Sequence, residues 1–168
     1  MTANKDNVVL AQVDSPEFVA IARELFREYS RAIGIDLEYQ NFTAELARLP
    51  TPYIAPQGAL LIAHAGAEVA GCVALRPLDE HTGEMKRLYV RSAHRGAGLG
   101  GILVDAVILA ARRAGYRELR LDTLASMKSA RALYVSRGFV QIPPYSENYL
   151  PDTVFYSLKL SDRAEVVS

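Results

Sequence analysis

The sequence is short of several things, and each shortage closes a class of explanation. Cys72 is the single cysteine in 168 residues, so no internal disulfide can form and a reducing, cytoplasmic setting is expected. His64, His81 and His94 have no metal-ligand spacing with Cys72 or with one another, so no metal is expected. Charge of one sign is missing: 19 Lys and Arg face 19 Asp and Glu, leaving no net field to gather nucleic acid or an anionic membrane surface. Long hydrophobic runs are missing too. The longest uncharged stretch, Leu49 to Ala67, is interrupted by Pro50, Pro52 and Pro56, and the polar opening MTANKDNVVL has no signal-peptide pattern. No membrane segment is expected. What is present is a 50% hydrophobic share, enough to build the core of one domain over residues 1–168, with a loose tail from about residue 161.

Val8 to Val13 reads as a strand, and Ser15-Pro16-Glu17 is a helix-start signal, with a capping hydroxyl, a fixed φ and an acidic first turn. The apolar spacing of Phe18, Ile21, Ala22, Leu25 and Tyr29 carries that helix to about Ile33. A second helical segment, near Glu38 to Leu49, stops at Pro50. Ala59 to His64 and Val69 to Arg76 form a hairpin, followed by the strand EMKRLYV from Glu84 to Val90. Strict alternation would put Glu84, Lys86, Leu88 and Val90 on one face. Leu99 to Ala114 is a helix, Glu118 to Thr123 a strand parallel to the preceding one, and Ser129 to Arg137 a short helix. Two strands, Phe139 to Ile142 and Val154 to Leu160, close the pattern. On the long helix the inward stripe reads as Leu99, Ile102, Leu103, Ala106 and Ala110, leaving Val104 and Ile108 outward as a patch that suggests a homodimer.

The chemistry concentrates between a strand and the long helix, where Arg95-Gly96-Ala97-Gly98-Leu99-Gly100-Gly101 sets four glycines in six positions. So much bare backbone costs chain entropy and permits close approach of N–H groups to a phosphate, which a helix N-terminus also favours. A pyrophosphate is the natural guest. The same residues satisfy a dinucleotide-binding pattern, with Asp122 where a ribose-binding acid would stand. Five residues nevertheless separate Val90 from Gly96, and too little chain follows for a doubly wound sheet. No Gly-Lys-Ser/Thr follows the loop, which removes the nucleoside triphosphate pattern.

The loop Arg95-x-x-Gly98-x-Gly100, followed at the right separation by Ala130-x-x-Leu133-Tyr134-x-x-x-Gly138-Phe139, resembles the GNAT superfamily of N-acetyltransferases. The resemblance implies an α/β (α+β) fold with a mixed, mostly antiparallel sheet of about six or seven strands flanked by helices and splayed at the strand before the glycine loop. It implies acetyl-CoA as co-substrate, with residues 95–101 on its pyrophosphate and Leu88, Tyr89 and Val90 as the backbone edge for pantetheine. Val90 N–H would polarise the thioester at a bulge, Glu84 would be the base, and Tyr134 would protonate the leaving thiolate. Met127 stands where an asparagine is frequent. The acceptor would be a primary amine of a small molecule or a peptide, with Tyr145 and Tyr149 in the loop beside it. Two readings from other classes stay open: a non-catalytic acyl-CoA-binding module and an NAD(P)-binding oxidoreductase.

Overall fold

The computed structural model describes residues 7–160; the tail expected from residue 161 lies outside them. The chain order is β1 (Val8–Gln12), α1 (Pro16–Ile33), a 3-10 turn (Leu37–Gln40), α2 (Phe42–Arg48), β2 (Ala59–Ala65), β3 (Glu68–Pro77), β4 (Thr82–Val90), a 3-10 turn (Ser92–His94), α3 (Leu99–Arg113), β5 (Glu118–Leu124), α4 (Lys128–Ser136), β6 (Val140–Ile142) and β7 (Thr153–Lys159). The strands form one seven-stranded sheet in the order β1-β2-β3-β4-β5-β7-β6. Every neighbouring pair is antiparallel except β4 and β5, the two joined through α3. A sheet with one parallel pair has no doubly wound half, so the dinucleotide fold is excluded.

Local signals set these elements. Ser15 Oγ accepts the Phe18 N–H at 3.2 Å, Pro16 occupies the first turn, and Gly34 ends α1 in the left-handed region at φ 68°. The segment expected as one helix from Glu38 is two pieces, because Asn41 turns left-handed at φ 58° between them. In β2 and β3 alternate residues serve opposite faces: Leu60, Ile62, Cys72 and Ala74 pack with Leu25 and Phe26 of α1, whereas Val73 and Leu75 pack with α3.

The outward patch expected on α3 is corrected. Val104 is 0% and Ile108 7% exposed, both inside the core under the sheet with Leu103, Val107 and Ala111. That set has helical spacing of its own, so the buried stripe is rotated by about one residue from the expected one. Alanines at 106 and 110 blurred its edge. The face offered for a homodimer is therefore interior.

Candidate functional site

Strands β4 and β5 pair only from Thr82↔Glu118 to Glu84↔Arg120 and then part, although β4 continues to Val90 and β5 to Leu124. The parting coincides with a bulge. Across β3 and β4 the register jumps between Cys72↔Tyr89 and Ala74↔Lys86, and Arg87 sits at φ 59°. Burial of an ion pair holds this unusual backbone: Arg87 Nε and Nη2 donate to Glu45 of α2 at 3.0 and 2.8 Å, and Nη1 donates to Gln40 at 2.9 Å. Phe42 and Tyr29 flank the guanidinium.

The bulge corrects two expectations. It lies at Arg87, not at Val90, and it breaks the alternation expected for β4. Met85, Leu88 and Val90 serve the α3 face, while Glu84, Lys86, Arg87 and Tyr89 turn to the α1 face. Arg91 N–H donates to Ala70 of β3 at 2.8 Å. Backbone donors alternate in an antiparallel ladder, so the Val90 N–H faces away from β3, into the gap.

The gap opens on the glycine loop. Gly96 and Gly98 have φ of 85° and 81°, a region costly for any side chain. No side chain caps α3, and its first hydrogen bond runs from Ile102 N–H to the Gly98 carbonyl, so the N–H groups of Leu99, Gly100 and Gly101 remain for a ligand. On the other side α4 closes in, since a Cβ at Gly100 would meet Leu133 at 3.3 Å. The resulting cleft, about 790 Å³, is walled by Leu88, Val90, Leu99, Leu124 and Met127. Tyr89, Arg95, Gly96, Gly98, Gly100 and Gly101 also border it; Ala97 does not. Arg95 reaches back to the Val90 carbonyl at 3.0 Å. Met127 takes only a weak contact from Thr123 Oγ1 at 3.5 Å.

Tyr134 of α4 borders a small hollow at the inner end of this gap, with Leu88 and Asp122. Its ring packs on Phe139 and Tyr156, with centroids 5.8 and 6.1 Å apart. Burial pushes its phenol up, so the hydroxyl keeps its proton. Glu84 is 2% exposed and fully engaged. Its carboxylate takes Arg76 Nε at 2.8 Å and the Tyr145 hydroxyl at 2.7 Å, with Lys86 Nζ at 3.8 Å. Although burial alone would raise it, Lys86 and Arg76 hold the Glu84 carboxyl below the usual range. Tyr145 thus joins Glu84, a contact the sequence reading did not foresee, and its ring carries Arg120 at 5.3 Å. Tyr149 packs edge-on against Phe155 and is 41% exposed. Asn148 Nδ2 donates to the Tyr39 carbonyl, fastening this loop over the 3-10 turn. The Glu45–Arg87 pair escaped the sequence reading because its partners lie 42 residues apart.

An uncapped helix start thus opens beside two parallel strands that separate. The acetyltransferase (GNAT) family model matches residues 18–139. An uncharacterised N-acetyltransferase of Schizosaccharomyces pombe is 38% identical over 92% of this chain and 96% of its own length. Among solved structures, an acetyltransferase from Streptococcus agalactiae superposes with a TM-score of 0.75 at 22% identity, covering 92% of this chain and 99% of that one. A GNAT family acetyltransferase from Elizabethkingia anophelis with acetyl-CoA bound gives 0.64 at 22% identity, covering 93% and 100%. The chain belongs to the GNAT acetyltransferase family, whose co-substrate is acetyl-CoA. Among the described residues no group of three or more His, Cys, Asp or Glu is placed to hold a metal ion, and no helix is long and apolar enough to cross a membrane.

Proposed function

We propose that this protein transfers the acetyl group of acetyl-CoA to a primary amine of a small molecule or peptide, by direct attack within a ternary complex. The observation that carries the reading is a pair of hollows along the parting of β4 and β5, one at the bare N-terminus of α3 and one at Tyr134, which share Leu88 and Met127 as walls. The N–H groups of residues 99–101 hold the pyrophosphate, and the edge of β4 from Leu88 to Val90 holds the pantetheine arm. Acetyl-CoA supplies an activated thioester carbon. The Val90 N–H faces the developing oxyanion, a donor fixed before the reaction begins. Tyr134, kept protonated by burial, gives its proton to the leaving thiolate.

Glu84 suits a different part from the one first assigned to it. A carboxylate already bound by Arg76 and Tyr145, and held below the usual range, is a poor proton acceptor; it fixes the wall against which Tyr145 stands. Tyr145 and Tyr149 border the acceptor. The reading takes the chain as one domain working in the cytoplasm, which the buried lone thiol of Cys72 supports. The test is thiol release from acetyl-CoA across a panel of amines and peptides. Release with some acceptor supports transfer, whereas tight acetyl-CoA binding with no release across the panel would favour a binding module.

A further inference from the structure

Strands β4 and β5 carry three acids, Glu84, Glu118 and Asp122. Arg76 and Tyr145 occupy the first, and Arg120 and Ser157 the second. Among the described residues no cation or hydrogen-bond donor engages Asp122. Its position is not incidental. Leu121 points into the core toward α3, so its neighbour Asp122 turns to the α1 face, as Arg120 does beneath Tyr145. There it borders two adjoining hollows, one with Tyr134 and Lys86, the other with Tyr39 and Thr153. Thr153 Oγ1 is buried without a partner at the same place. A half-buried carboxylate with no bonded partner, beside a buried and orphaned hydroxyl at the inner end of the cleft, is open to a donor from outside the protein.

We propose that Asp122 receives the ammonium of the acceptor amine and takes its proton. The assignment rests on the amine-acetylation reading and supplies the base that Glu84 does not. The charged and titratable groups around Asp122 are Tyr29 of α1, Tyr39 of the 3-10 turn, Glu84, Lys86 and Arg87 of β4, Arg120 of β5, Tyr134 of α4 and Tyr145 of the loop. Lys86 is shared with Glu84, and Arg87 is committed to Glu45. The tyrosines stay protonated, chiefly through burial and in part through the charge of Asp122 itself. Arg120 is committed to Glu118, and Arg76 and Lys86 together serve Glu84, so the charges around the hollow balance while, of these described charged groups, Asp122 alone has no bonded partner, and an arriving cation meets a carboxylate with free acceptor positions. In the reaction Asp122 takes one proton from the ammonium, and the freed lone pair forms the C–N bond as the C–S bond breaks. The thiolate takes the Tyr134 proton, the second ammonium-derived proton restores the phenol, and the proton on Asp122 passes to solvent.

The deciding test needs no known acceptor. Coenzyme A thioethers bearing a 3-aminopropyl tail or an n-butyl tail of equal length are titrated by calorimetry into the parent protein, Asp122→Asn and Glu84→Gln. The parent is expected to prefer the ammonium tail about tenfold or more, the scale of one charge-assisted hydrogen bond. Asp122→Asn, which breaks no internal hydrogen bond, should melt like the parent, bind the butyl tail equally and lose the preference. A folded Glu84→Gln should keep it. No preference in the parent, or a preference retained in Asp122→Asn, overturns the assignment. Failure of both tails to bind the parent would instead overturn the coenzyme reading, and this assignment with it. With any amine the parent acetylates, Asp122→Asn should lose about 10²-fold in kcat/KM at neutral pH and regain it as free amine accumulates; parent-like rates at neutral pH would also overturn it.

Discussion

At the scale of single residues, Tyr134 and Glu84 differ in what their polar atoms already hold. Nothing among the described residues hydrogen-bonds the Tyr134 hydroxyl, while its ring is wedged between Phe139 and Tyr156. Tyr134→Phe should thus keep its melting temperature to within about 3 °C. Acetyl-CoA binding should persist and kcat fall about 10²-fold, a loss that shrinks with a more acidic leaving thiol. A lower melting temperature with unchanged turnover would make the residue a packing element only. Glu84 is the reverse case, because its carboxylate is satisfied inside the protein. Glu84→Gln should cost about 3 kcal/mol, the low end for a broken buried pair because Arg76 is partly in water. Since the folded protein holds this carboxyl below its ordinary value of about 4.3, its stabilisation is complete above that pH and is lost as pH falls through the folded value. Urea titrations at stepped pH should show the gap between parent and Glu84→Gln closing on acidification. A constant gap would mean the charge contributes nothing.

At the scale of elements, the N-terminus of α3 combines a backbone requirement with a binding requirement, and Gly115 separates them. Gly98 and Gly115 stand at opposite ends of α3, both left-handed at φ 81° and 87°. Alanine at either should cost roughly 1–2 kcal/mol through the backbone alone. Only Gly98→Ala should also weaken acetyl-CoA in calorimetry; equal titrations for the two variants would remove the pyrophosphate from this loop. The elements themselves were legible where periodicity and caps agree, as in α1 between Ser15 and Gly34 or the hairpin of β2 and β3. The glycine loop was legible because four glycines tolerate few explanations. The phase of α3 was not, since small residues such as Ala106 and Ala110 suit either side of a helix. The bulge at Arg87 was not legible either. Its cause is Glu45, remote in sequence, and a one-residue shift exchanges the faces of everything beyond it. The engagement of Glu84 was hidden for the same reason: Arg76 and Tyr145 reach it from another strand and a later loop.

At the scale of the whole molecule, the question is whether the seven strands open as one unit. Cys72 reports on this. It is fully buried in β3, between β2 and β4, its Sγ 3.4 Å from the Arg87 carbonyl. Burial raises its thiol, and only a thiolate reaches an alkylating reagent, so labelling by iodoacetamide requires the sheet to open around it. The proposed coenzyme site lies between β4 and β5, along the edge of β4 opposite the one where Cys72 pairs with Tyr89. If opening at Cys72 carries β4 away from that site, the ligand must leave first. Acetyl-CoA, which has no free thiol to compete for the reagent, should then slow labelling about 100-fold at 100 times its dissociation constant. If instead β1, β2 and β3 detach while the β4 and β5 cleft persists, the ligand leaves the labelling rate unchanged. Contact across the sheet favours the first outcome. Arg87 ties the bulged strand to α2, and Cys72 packs in the same cluster as Tyr89 of β4 and the core of α1, so no boundary runs between the coenzyme edge and the thiol. The ratio of labelling rates with and without acetyl-CoA reads that cooperativity directly.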